Sequence, residues 1–213
     1  MKLDEEIEHL NQMIIRMSEQ VMENLRLSIE LYHEYDEEKA NLINDDVVDL
    51  HERLIDEMCL NIMLKERPYA SDLRRVTGIL KLVTDLERLG DHAEDLATFA
   101  KRIAKVDHQD CETLNQMVEK TFVMVKNALT AYINQDTQLA ESIIQEDDVI
   151  DNLYEIALEK IIKHLDNKEY ANDFSIYTTL VVKYIERIAD HAVNIAEWVI
   201  YIVSGYHKDK RIF

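Results

Sequence analysis

ERLGDHA, residues Glu87 to Ala93, returns 99 positions later as ERIADHA, residues Glu186 to Ala192. The likeness runs outward from there. Leu82, Leu86, Leu89, Ala93, Leu96, Ala100 and Ile103 are answered by Val181, Ile185, Ile188, Ala192, Ile195, Val199 and Ile202. Alternating steps of four and three make the apolar stripe of a bundled helix. At about 100° per residue, Glu87 and Asp91 fall roughly opposite the middle of that stripe, and so do Glu186 and Asp190. A solvated face requires charge, but it does not require the same acids in the same register twice. The repetition is therefore a functional signal.

The rest of the chain is duplicated with it. Leu3, Ile7, Leu10, Ile14, Met17, Val21, Leu25, Ser28 and Tyr32 predict one long first helix ending near Tyr35, with Asp36 capping the next. The second helix is expected to carry Ile43, Val47, Leu50 and Leu54 to about Lys65. Pro68 ends it, having no N–H to donate and restricting the residue before it. A third helix then runs to about Ala104. After the polar stretch Lys105 to Asp110 the pattern starts again. Leu114, Met117, Thr121, Val125, Ala128 and Tyr132 match the first helix at an offset of 100. The fifth helix, about Thr137 to Leu165, holds QEDDVID (145–151), which answers NDDVVD (44–49) at an offset of 102. Asn172 or Asp173 is expected to cap a sixth helix reaching Val203, with Gly205 stopping it. The fold class expected is all-α: two tandem three-helix bundles, residues 1–106 and 107–213, without a sheet and each closing its own core.

Composition agrees. Three Gly and one Pro in 213 residues leave few sharp turns, and 47% hydrophobic content supports a packed core. A net charge of −19 argues against a nucleic-acid surface and suits cations or a basic protein patch. Cys59 and Cys111 fit no metal or redox spacing. The opening MKLDEEIEHL has no apolar run of a signal peptide, and no stretch approaches the roughly 20 apolar residues that span a bilayer. The expectation is a cytoplasmic protein without membrane insertion.

Each half carries two acid pairs at four-residue spacing: Asp45 with Asp49 and Glu87 with Asp91, then Asp147 with Asp151 and Glu186 with Asp190. Such spacing puts both carboxylates on one helix face, one turn apart. If the helices are antiparallel neighbours, the pairs of each half face across an outer groove away from the core, forming one cation site per half. Two carboxylates about 4 Å apart repel by about 4 kcal/mol at an effective dielectric near 20, so a cluster splays, protonates or holds a cation. Mg²⁺, Mn²⁺, Fe or Zn²⁺ all accept carboxylate oxygen. His92 and His191 follow the second acid and offer a nitrogen ligand or an outer contact, although each alone reads as a polar surface residue. Arg88 and Arg187 can instead neutralise the acids without metal.

PYASDLRRVTGILKLVTDLERLGDHAEDLA, residues 68–97, resembles the motif helix of the PhoU family of phosphate-transport regulators, and the resemblance covers essentially the whole chain. It implies two three-helix repeats with multinuclear metal bound through E/DxxxD pairs. It also implies a non-enzymatic regulator that lowers the phosphate-starvation response. Such a regulator would contact the phosphate ABC transporter, through its ATPase subunit, and a sensor histidine kinase. A homodimer is expected. The second copy departs from the first, with Ala189 in place of Gly90 and Asn194 in place of Asp95.

Two other classes compete. A carboxylate di-iron enzyme requires Glu-x-x-His motifs from two facing helices. Here Glu6-x-x-His9 and Glu30-x-x-His33 both lie on the first helix. No Gly-rich phosphate loop or nucleophile–base pair accompanies them, so an enzyme is not expected. A metal-free acidic helical adaptor, binding a basic partner, fits every residue.

Overall fold

The computed structural model describes residues 2–106, 111–207 and 210–211. Its long helices are α1 (Lys2–His33), α3 (Asp45–Lys65), α4 (Ala70–Ile103), α5 (Glu112–Asn134), α6 (Thr137–Asp166) and α7 (Asn172–Ser204), with a single turn, α2 (Glu37–Ala40), between the first two. Helices α1, α3 and α4 form one bundle and α5, α6 and α7 the other. The stripes anticipated on α1, α4, α5 and α7 are the buried faces: Leu10, Ile14, Met17, Leu82, Leu89, Ala93, Leu114, Met117, Val125, Ile185 and Ile195 are all inaccessible or nearly so.

The bundles do not close separate cores. Helices α4 and α7 pack along each other as extensively as helices within a bundle, and the buried apolar side chains form one continuous cluster. Gly78 of α4 lies against Tyr201 and Ile202 of α7, and a Cβ at Gly78 would stand 2.4 Å from Ile202 Cγ1. Glycine is therefore what lets the helices approach there. The expected boundary at Lys105 to Asp110 lies mostly outside the described residues, since 107–110 are not among them.

The second helix differs from its expected form in two ways. Asp36 does cap, accepting from the Lys39 N–H at 2.9 Å, but the helix it starts is α2, which ends after one turn. Asn44 then caps α3 by accepting from the Val47 N–H. The cause sits on α1, where the fully buried Asn24 donates to the Asn44 carbonyl at 3.2 Å and accepts from the Asn44 N–H at 3.4 Å. That clamp holds Asn44 in extended backbone. At the offset of 100 its counterpart is the apolar Met124, and α6 runs unbroken.

The buried register of α3 is also not the expected one. Val48, Ile55, Cys59 and Ile62 face the core, whereas Leu50 and Leu54 are 49% and 44% exposed. In α6 the corresponding buried residues are Ile150, Ala157 and Ile161, 102 positions on. This rotation moves Asp45 and Asp147, each three residues before a buried anchor, to the edge of the core.

At the far end, neither Asn172 nor Asp173 caps α7. Its N-cap is Ala171, with no side-chain hydrogen bond. Gly205 does stop α7, at φ 84° in the left-handed region that suits glycine. The chain is not wholly free of sheet. Strands β1 (Tyr206–His207) and β2 (Lys210–Arg211) pair antiparallel, and the His207 ring stacks on Trp198 of α7 at 4.1 Å.

Candidate cation sites and the seam between the repeats

Helices α3 and α4 run side by side at the first acid cluster. They pack tightly at Gly90, where a Cβ would stand 2.6 Å from Asp45 Oδ1 and 3.0 Å from Val48 Cγ1. Asp45 therefore reaches over the α4 backbone and meets Asp91. Burial, followed by the charges of Asp91 and Asp49, pushes the Asp45 carboxyl up to about 7. Burial and then Asp91 raise Glu87 to about 6. Asp45, Asp49, Glu87 and Asp91 thus form one mutually repelling group. Asp45 Oδ1 and Glu87 Oε2 are buried without a hydrogen-bond partner. The site lies beside the core and not out on an open face, because of the rotation of α3.

Two further acids add to this field: Glu52 on α3 helps to raise Glu87, and Glu94 on α4 helps to raise Asp45. Their legible signal was a step of three beyond each acid pair, from Asp49 to Glu52 and from Asp91 to Glu94. The second half has Tyr154 and Val193 at those registers.

The second cluster is built alike between α6 and α7. Burial, then Asp151 and Asp190, raise Asp147 to about 6, and burial and Glu186 raise Asp190. It is the more open site, with Asp151 and Asp190 exposed. Ala189, fully buried, stands where α4 has Gly90.

Partly neutralising cations are present in both clusters. Arg88 Nη1 is 2.6 Å from Asp91 Oδ2 and its Nε is 3.4 Å from Glu87 Oε2, while Lys183 pairs with Glu186 at 2.6 Å. Among the described residues, no three His, Cys, Asp or Glu side chains stand in a chelating arrangement. The donors nonetheless fit a hard cation: all are carboxylate oxygens, Asp45 Oδ1 and Glu87 Oε2 are buried without a hydrogen bond, and the Asp45, Glu87, Asp147 and Asp190 carboxyls hold protons above their ordinary range.

These raised carboxyls carry a pH signature. Folded Asp45 keeps a proton between about pH 4 and 7 that the unfolded chain has released, so its ionisation costs stability as pH rises through that window. His92, lowered to about 4, works in the opposite sense, which makes a comparison between variants the clean test. In chelator, Asp45→Asn is expected to gain on the parent protein between pH 5 and pH 8. The gain is on the order of 1 kcal/mol once solvent screening of a half-exposed group is allowed for. Denaturant midpoints at the two pH values measure it; an equal difference at both would exclude the burial of an unpaired charge.

His92 and His191 are not surface residues. They meet ring to ring at 5.4 Å in the α4–α7 seam, and His92 is only 3% exposed. Asp95 Oδ2 stands 3.9 Å from His92 Nδ1, and neither ring nitrogen has a hydrogen-bond partner. Burial, then the neighbouring Arg187 guanidinium and the His191 ring, hold His92 neutral.

The seam also contains a residue that no sequence motif marks. Asp85 of α4 accepts from three groups of α7: His191 Nδ1 at 2.8 Å, Asn194 Nδ2 at 3.1 Å and Trp198 Nε1 at 3.0 Å. At the offset of 99 these residues correspond to Tyr184, His92, Asp95 and Phe99. Tyr184 in turn faces His92 at 5.3 Å and Phe99 at 5.5 Å between ring centres, with Asp95 beside its hydroxyl. Each repeat thus offers its partner the same positions that it receives, the pattern of an interface between two copies about a two-fold axis. One side uses a carboxylate and the other a phenol.

The duplicated unit matches known proteins. The PhoU domain model fits residues 14–100 and again 114–199. The chain belongs to the PhoU family. Among PhoU relatives, the phosphate-specific transport system accessory protein PhoU homolog of Clostridium acetobutylicum is 30% identical over 211 residues, covering 97% of this chain and 96% of the relative. The homolog of Aquifex aeolicus is 34% identical over 208 residues, covering 96% and 94%. The crystal structure of PhoU from Pseudomonas aeruginosa superimposes with a TM-score of 0.91 at 31% identity, over 95% of this chain and 99% of that one. That of the phosphate transport system regulatory protein PhoU from Streptococcus pneumoniae gives 0.89 at 26%, over 98% and 100%. No helix among the described residues of this PhoU-family chain is long and apolar enough to cross a membrane.

Proposed function

We propose that this protein regulates phosphate uptake and the phosphate-starvation response by protein–protein contact and without catalysis of its own. The observation that carries the reading is the pair of PhoU repeats across nearly the full length of relatives named as accessory proteins of the phosphate-specific transport system. Within it, the partners are the phosphate ABC transporter, through its ATPase subunit, and a sensor histidine kinase. The protein acts in the cytoplasm as a homodimer, its repeats divide at 106/107, and each acid cluster holds a divalent or trivalent metal ion.

Asp45, Asp49, Glu87 and Asp91 would hold the first ion, and Asp147, Asp151, Glu186 and Asp190 the second. A second reading, a metal-free acidic adaptor, is favoured by Arg88, which already engages both Asp91 and Glu87. Metal analysis of purified protein, before and after chelator, separates the two.

Deleting the gene is the decisive test of the regulatory role. Phosphate-responsive genes are expected to stay on at high phosphate, at least tenfold above the parent strain, and to be repressed again by a plasmid copy. Normal repression in the deletion strain would exclude it.

A further inference from the structure

Helices α1 and α5 belong to different bundles and touch sparsely. They meet where Tyr132 Oη donates to Asn11 Oδ1 at 2.8 Å. Beyond that bond an open groove runs between them, floored by Ile15, Met22, Ile29, Val118, Phe122 and Leu129. Three of these, Ile15, Met22 and Ile29, recur every seven residues, so one apolar side chain lines the groove at each second turn. The stretch from Ile15 to Ile29 is about 21 Å long at 1.5 Å per residue, the length of a four-turn helix. Val123 and Ile133 on the far wall are 48% and 53% exposed.

The two walls are themselves repeats. At the offset of 100, Ser18, Met22 and Ile29 answer Val118, Phe122 and Leu129, and Arg26 answers Lys126. The rim bears four acids, Glu19, Glu23, Glu30 and Glu119, against two bases, Arg26 and Lys126, and Glu30 also pairs with Lys39 at 3.0 Å. Arg26 is already engaged by Glu23 at 2.6 Å and by Glu30. The groove is therefore apolar along its floor and net acidic along its edges, in a chain of net charge −19.

We propose that this groove is a docking site for an amphipathic helix of a partner protein, about four turns long, with an apolar stripe flanked by Lys and Arg. Apolar anchors at i, i+3 or i+4 and i+7 match the floor, and the basic flanks match the rim. A second copy of this chain is disfavoured as occupant, because it is equally acidic and its own α1–α5 face is the same concave, acid-edged groove. The site is separate from both carboxylate clusters, so the proposal stands whether or not they hold metal.

The probe is a synthetic 18-residue helix with a Leu stripe and Lys flanks. Two controls are the same stripe with Glu flanks and the Lys-flanked peptide with its Leu positions scrambled. Fluorescence anisotropy with the full-length protein should show binding of the Lys-flanked peptide at least tenfold tighter than either control. Met22→Glu with Phe122→Glu should abolish it. The exposed triple change Glu19→Lys, Glu23→Lys, Glu119→Lys, which leaves the core alone, should reverse the preference towards the Glu-flanked peptide. Circular dichroism checks that the helices persist in each variant. Binding of the Lys-flanked peptide that survives the triple change without reversal overturns the proposal. So does sedimentation showing that the triple change splits a dimer into monomers, since the groove would then belong to a second copy.

Discussion

Replacing Asp85 by alanine is expected to lower the unfolding free energy by about 2–4 kcal/mol, the largest loss from any single polar change outside the apolar core. Its carboxylate is the shared acceptor for His191, Asn194 and Trp198, and its side chain is only 13% exposed. Removing it strands three donors at once, and water reaches only part of that surface. Asp85→Asn keeps the shape and one acceptor, so its cost should be about half as large. Trp198 is the chain's only tryptophan, which makes its fluorescence a local reporter on the seam. Its emission should move to the red in Asp85→Ala even before unfolding. Because α4 and α7 join the repeats through one core, the variant should still unfold in a single transition at a lower denaturant midpoint. An unchanged midpoint would mean that the triad decorates the seam without holding it.

Changing Glu87 and Asp91 together to alanine should roughly halve the metal bound per chain, leaving the second cluster loaded. The fold should survive. Metal-free stability should stay level or rise slightly, since like charges one turn apart on a helix cost about 0.2–0.5 kcal/mol per pair. Glu87 adds to this through its own burial, which raises its carboxyl to about 6. Against the gain stands the loss of the partners of Arg88, a half-exposed residue whose ion pairs contribute little. Elemental analysis of the purified variant, beside thermal melts in chelator, gives both readouts. Full metal content with an intact helical signal would show that these acids are a solvated face.

The duplication and the all-α class were legible because helical periodicity is a local property. A core stripe with no interruption, such as Leu10, Ile14, Met17 and Val21, can be read without knowing what covers it. The acid pairs were legible for the same reason, a fixed spacing repeated at a fixed offset. The register of α3 was not. Apolar residues lie on more than one of its faces, and Leu50 and Leu54 compete with Val48 and Ile55 until a neighbouring helix chooses between them.

By itself, then, the sequence determined six amphipathic helices, two repeats, and two acid pairs per repeat on adjoining helices. Only the tertiary structure decided what those acids experience. Gly90 admits Asp45 against α4, Asn24 breaks the chain before α3, and the rotation of α3 sets the carboxylates beside the core. It alone also decided that the repeats share a core, since the partners of Asp85 lie more than a hundred residues along the chain. Spacing along a helix reports only that helix's own faces. Burial, the charge state of a carboxyl and the pairing of a histidine depend on which surface arrives opposite, and that is settled by packing.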